Sequence, residues 1–440
     1  MTGEIEVWVE DGGENGGENG GEGELIQARL RADDGQDYRL DAPAGLELPD
    51  SGSFVRVSGV LDTCGNAEIL SIDSVESLQP LELAAQALGG TFGEQKIAVI
   101  LLSFQDQATS YTQAQARDVV FNQVDGFWRE NSFGQTWATG DVFGPYTIPV
   151  SKVGCDSGAI SSAAQAAVAA AGVSLSQYRR WVYVYPKNGC SWYGLGTIGG
   201  NPSKAWINGA LQRFTVGHEL GHNLGLHHAR SLNCGVTTLA ASAGTACSVS
   251  EYGDTTDTMG NKLAGHYNAY MKERLGWLGT ESSPLISYPE FSGAQWIDPY
   301  ETDGSGVKAL KLYKGKSSSG ANQYYYVEFR QPVGFDSVFS STSNSNNLTT
   351  GVVIHQGSTT ASESSHLLNM NPATGTFYKA ALQVGQIFEN IAAGIKLTVL
   401  SAQSGGAQLD VQFAKDVPPP PPPGDFPAPP PGRTGSIPCS

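Results

Sequence analysis

No stretch of this 440-residue chain approaches the run of about 20 apolar residues that a membrane-spanning helix needs, so no membrane span is expected. Basic residues are scarce: 26 Lys and Arg face 43 Asp and Glu, for a formal charge of −17. That balance argues against nucleic acid as a partner, since phosphates demand clustered Lys and Arg. The six cysteines include no CxxC pair, and an even number at wide spacing suggests disulfides in an oxidising compartment. Cys155–Cys190 and Cys234–Cys247 are the expected pairs. The opening MTGEIEVWVEDGG has neither the basic nor the apolar segment of a signal peptide, which reads as truncation of a secreted protein. Methionine occurs four times and histidine seven times, so a cluster of either is informative.

Four of the seven histidines fall in HELGHNLGLHH, residues 218–228. Leu211, Phe214, Val216 and Leu220 recur at roughly helical spacing, which predicts a helix through the first half. His218 and His222 then leave one helix face a turn apart, as two ligands of a tetrahedral zinc would. Glu219 lies beside them, placed to reach a water without ligating. Gly225 falls where the helix would stop, because glycine takes a left-handed backbone cheaply. The turned chain can bring His228 back as a third ligand, with His227 structural or at the rim. Three His ligands leave a fourth position for a water of lowered pKa, with Glu219 as general base and later acid.

Downstream, DTTDTMG places Met259 about thirty residues past His228. With the long zinc motif, this resembles the metzincin metallopeptidases, in which a methionine turn underlies the metal. FWRENSFGQ (127–135), DTMG (257–260), MKERLGWL (271–278) and VEFRQPVGFDS (327–337) narrow the resemblance to the gametolysin (algal autolysin) family, over roughly residues 90–415. The resemblance implies one catalytic Zn2+, Met259 as the floor of its site, and an edge strand within Gly194–Ile207 that pairs with extended substrate. It also implies secretion and protein substrates among Pro- or hydroxyproline-rich extracellular matrix or cell-wall glycoproteins. One departure is Asn261, where several metzincins carry a tyrosine that stabilises the transition state; Tyr252, Tyr267 and His266 are the alternatives.

The expected fold class is α+β: a metzincin-like catalytic domain of twisted mixed sheet and long helices, flanked by a small N-terminal β-domain and a C-terminal β-sandwich. Residues 1–24 read as an acidic Gly-rich linker and 25–90 as the small β-domain, a propeptide or accessory module with barrel character. Within the catalytic domain, 91–280, QKIAVILLSF (95–104) and RRWVYVYP (179–186) read as buried strands. Residues 112–131 read as a long helix and 158–171 as an Ala-rich one. Residues 281–415 alternate as a β-sandwich, with His355 and His366 structural, and 416–440 form a Pro-rich tail, a spacer or a wall-associating stalk. Cys64 reads either as a thiolate that could fill the open zinc position or as a cysteine disulfide-bonded, perhaps to Cys439, or buried free.

Two rivals stand beside the zinc endopeptidase. One is a thermolysin-type site with Glu251 as third ligand, which the Gly225 to His228 spacing opposes. The other is a non-catalytic wall-binding protein with a peptidase-like domain, which an intact Glu219 opposes.

Overall fold

The computed structural model describes residues 1–11, 25–33, 35–43, 46, 48–64, 67–78, 89–240, 247–260, 265–279, 284–318, 320–340, 346–358 and 361–418. They fall into two compact units, the first made of residues 1–129 and 136–227 and the second of 130–135 and of 228 onward.

The first unit carries one mixed sheet of ten strands. Its strands are β1 (Thr2–Glu10), β2 (Leu25–Ala32), β3 (Asp37–Asp41), β4 (Phe54–Cys64), β5 (Ala67–Ser77), β6 (Gly93–Phe104), β7 (Thr136–Ile148), β8 (Arg180–Tyr185), β9 (Gly194–Thr197) and β10 (Ser203–Asn208). Their order is β2-β3-β5-β4-β1-β9-β10-β8-β6-β7, and β2 also pairs with β1, so β1 to β5 close on themselves as a barrel. Its core holds Ile5, Val7, Val9, Ala28, Leu30, Val55 and Leu70. Residues 2–10, expected as part of the linker, are therefore a strand. Composition over 1–24 hid the alternation of EIEVWVE, which puts Ile5, Val7 and Val9 on the buried face and Glu4 and Glu6 on the other.

β6, β7, β8 and β10 run parallel, and β9 is antiparallel to both β10 and β1. β6 is the expected buried strand, held between β8 and β7, with Ile97 to Leu102 fully buried. The helix expected over 112–131 is one continuous helical run whose middle is π-helical. Residues 113–131 form α1 (Gln113–Asp118), a π-helical segment (Val119–Val124) and α2 (Asp125–Asn131). Two further helices follow, α3 (Ser157–Ala170) and α4 (Arg213–Asn223). α3 begins on an Asp156 N-cap, whose carboxylate accepts from the Ala159 N–H at 2.8 Å, and packs Ile160, Ala164 and Val168 against Tyr183 and Tyr185 of β8. The disulfide Cys155–Cys190 forms just ahead of this helix, as expected.

In the second unit, two strands, β11 (Arg230–Asn233) and β12 (Ser248–Ser250), precede one short helix, α5 (Ala269–Arg274). Then come β13 (Leu285–Ser287), β14 (Gly293–Ile297), β15 (Val307–Lys316), β16 (Asn322–Glu328), β17 (Gly351–Ser358), β18 (Ala361–Leu368), β19 (Leu382–Gln383), β20 (Ile387–Asn390), β21 (Ile395–Gln403) and β22 (Gly406–Phe413). One sheet runs β12-β11-β18-β17-β16-β15-β13 and the other β14-β22-β21-β20. Leu310, Tyr325 and Ile354 of the first share a core with Leu397, Leu409 and Val411 of the second. β11 pairs parallel with β18, so Arg230–Asn233 form part of the first of these sheets. The expected disulfide Cys234–Cys247 links the ends of the loop between β11 and β12.

Candidate metal centre

α4 forms where the apolar spacing predicts and stops where Gly225 takes a positive φ of 95°. The Leu226 N–H closes the end onto the Gly221 carbonyl at 3.1 Å. His218 and His222 sit a turn apart, with ring centroids 4.9 Å from each other. The His222 Nδ1 lies 2.7 Å from the Leu226 carbonyl. A carbonyl can only accept, so Nδ1 carries the proton and Nε2 keeps its lone pair for a ligand. The loop that Gly225 starts thus fixes the tautomer of a residue on the helix before it.

Asn223, which the sequence reading passed over, ties the helix end to the sheet. Its amide donates to the Thr197 carbonyl at 3.0 Å and the Lys204 carbonyl at 2.8 Å. Arg180 of β8 is buried beneath and donates to the Asn223 carbonyl and, at 2.8 Å, to Gln95. A cation at a helix C-terminus complements the helix dipole.

His228 is oriented by a carboxylate: its Nδ1 lies 2.7 Å from Glu251 Oε1. Glu251, the third ligand of the rival reading, is thus the partner of a histidine. The Tyr252 ring packs against the His228 ring at 4.2 Å between centroids. Ligand atoms of Asp11, His218, His222 and His228 all lie within 4.8 Å of one another. Asp11 Oδ1 is 3.3 Å from His218 Nε2 and 3.7 Å from His222 Nε2. Donors about 2.0–2.1 Å from a tetrahedral ion stand about 3.3 Å apart, so the group suits one small divalent metal. Three imidazole nitrogens and one carboxylate oxygen are also a donor set that zinc accepts.

Glu219 is buried on α4 against β9. The glycines of GLGT make that approach feasible. A Cβ on Gly194 would stand 1.7 Å from Glu219 Oε1, and one on Gly196 would stand 3.0 Å from both Oε2 and the His222 Cβ. Burial, then the charge of Asp11 and a hydrogen bond with it, hold the Glu219 carboxyl well above the usual carboxylate pKa. Burial alone would also raise Asp11, but the His218 charge and hydrogen bonds from Glu219, His218 and His222 hold it well below the ordinary value. Tyr185 of β8 lies fully buried, and burial followed by the Glu219 charge pushes its phenol well up.

Met259 is fully buried. Its N–H donates to Asp257 Oδ1 at 2.7 Å, and its carbonyl accepts from the Ala229 N–H at 3.0 Å, one residue past His228. Asp254 is held by His355 of β17 at 2.8 Å, and the other ring nitrogen of His355 faces Glu328 at 3.3 Å. His355 therefore has the structural part expected of it.

Of the three residues weighed in place of a tyrosine at 261, Tyr252 is the one packed on a site histidine. Tyr267 stacks on Trp277, and its carbonyl accepts from the Tyr300 hydroxyl at 2.8 Å. His266 is bonded to Glu130 at 2.7 Å and Lys272 at 3.1 Å. Asn261, the Cys64 side chain and Cys439 lie outside the described residues.

A profile of the gametolysin peptidase M11 family matches residues 107–372, more than half of the chain. The chain belongs to this family. Membership makes it a peptidase, and the His/Asp group within the matched region and at Asp11 points to a metal-dependent one. No curated protein matches the chain at a significant level. Asp11 and the barrel lie ahead of the matched residues. The sequence reading missed Asp11; its signal was an acidic residue directly ending an alternating strand, masked by the acidic glycine repeat that follows.

Proposed function

We propose that the chain is a secreted zinc endopeptidase with a metzincin-type centre. His218, His222 and His228 hold the ion, Glu219 does the proton transfers, and Met259 lies beneath the site. The observation that carries this is the convergence of His218, His222 and His228 within 4.8 Å, with Nδ1 bonded at two of the three rings. A zinc ion held there supplies a Lewis acid and lowers the pKa of water it binds to about 7. The protein supplies the rest. Leu226 and Glu251 fix the imidazoles, and the glycines of β9 pack against the Glu219 side chain. Glu219, one residue from His218 on the same helix, is the carboxyl we assign to take a proton from water and return it to a leaving amine.

Two disulfides support an extracellular setting. No helix among the described residues is long and apolar enough to cross a membrane. The substrates we propose are Pro- or hydroxyproline-rich proteins of cell wall or matrix, with residues 91–280 as the peptidase domain, 25–90 (whose barrel the 2–10 strand completes) and the sandwich at 281–415 as accessory domains, and 416–440 as a tail. Prolonged incubation with casein or gelatin should give cleavage that a chelator abolishes and added zinc restores. Glu219→Gln should be inert while still folded. Cleavage that persists in both conditions contradicts the proposal.

A further inference from the structure

We propose that Asp11 is a fourth ligand to the metal, and that the N-terminal barrel uses it to hold the peptidase latent. This rests on the zinc reading above. The barrel strand β1 is shared with the neighbouring strands: Trp8, Val9 and Glu10, which pair with β2 inside the barrel, also pair antiparallel with Thr197, Gly196 and Leu195 of β9. The Asp11 N–H extends that ladder to the Gly194 carbonyl at 3.4 Å. β9 has β10 on its other side, so β1 takes the edge where an extended peptide would add as a strand. At the end of this strand Asp11 Oδ1 faces His218 Nε2 and His222 Nε2 at 3.3 and 3.7 Å. The same carboxylate is hydrogen-bonded to Glu219. One residue thus occupies the place of the attacking water and engages the group that would deprotonate it.

The barrel is fastened beside the site. Glu6 of β1 pairs with Lys204 of β10 and with Arg29 of β2. Ile198, which follows β9, is buried in the barrel core, and its carbonyl accepts from the Ser51 N–H at 3.1 Å. Asp11 is 15% exposed, so water has little access around the carboxylate.

The test uses the full chain loaded with Co2+ and read by its visible absorption, with a small hydroxamate as a probe of the open metal position. Asp11→Asn keeps the side-chain shape, and Asp11→Ala guards against a residual amide ligand. Both variants should load cobalt, change the wild-type spectrum, bind the hydroxamate at least tenfold more tightly and cleave casein at least tenfold faster. Cobalt-loaded variants with the wild-type spectrum and hydroxamate affinity overturn the Asp11 assignment and leave the zinc reading standing. Failure of the wild-type chain to load cobalt overturns both.

Discussion

Glu251 separates two accounts of the metal centre, because a ligand and a ligand's partner respond differently to removal. The carboxylate bonds His228 Nδ1 at 2.7 Å and is not among the grouped ligand atoms. A hydrogen bond to a charged group contributes about 1.5–3 kcal/mol. Loss of a carboxylate behind a metal-bound histidine typically weakens metal binding about 10–100-fold, or about 1.4–2.7 kcal/mol. Glu251→Ala should therefore still bind one metal ion, with an affinity lowered by that factor. Glu251→Gln, which keeps an acceptor oxygen but loses the charge, should fall between the two. His228→Ala should lose far more, because a ligand itself is gone. Competition against a chromophoric chelator at fixed pH measures all four proteins on one scale. An affinity in Glu251→Ala equal to that of the wild type would refute the orienting role. Metal binding abolished in Glu251→Ala and kept in His228→Ala would place the ligand at 251.

Gly194→Ala sets a methyl 1.7 Å from Glu219 Oε1, so Glu219 or β9 must move; peptidase kcat/KM should fall about 100-fold with metal content unchanged. Asn223→Ala removes two bonds to buried carbonyls and should lower stability by about 1–3 kcal/mol, read as a lower Tm. Replacing Cys234 and Cys247 by Ser opens a loop of 13-residue separation and should cost about 3 kcal/mol in denaturant unfolding. Burial, then the Lys272 charge, lower the His266 pKa from 6.5 to about 4. The unfolded chain then binds the extra proton between those values, so stability from this group is present above pH 6.5 and lost as pH falls toward 4. His266→Gln should flatten that part of a stability-versus-pH curve, and an unchanged slope would show that other groups set it.

The parts written locally were legible. Eleven contiguous residues carry His218, Glu219, His222, Gly225 and His228, and the helix ends at the glycine because only local backbone chemistry decides it. Continuous apolar runs marked β6 and β8 for the same reason. What escaped depends on contacts distant in sequence. Asp11 meets His218 across 207 positions only because β1 pairs with β9, a register that no periodicity encodes. Glu251 looked like a ligand by type, and its bond to Nδ1 is decided by the fold between β11 and the methionine turn. β1 itself was lost to averaging, since a flanking acidic glycine repeat outweighed nine alternating residues.

Elemental analysis of the purified full-length chain, wild type and His218→Ala/His222→Ala, tests the central claim most directly. One equivalent of zinc per wild-type chain, absent from the folded double variant, is the expected result. A wild-type chain without stoichiometric metal, or a double variant that retains it, would contradict a centre built on these histidines.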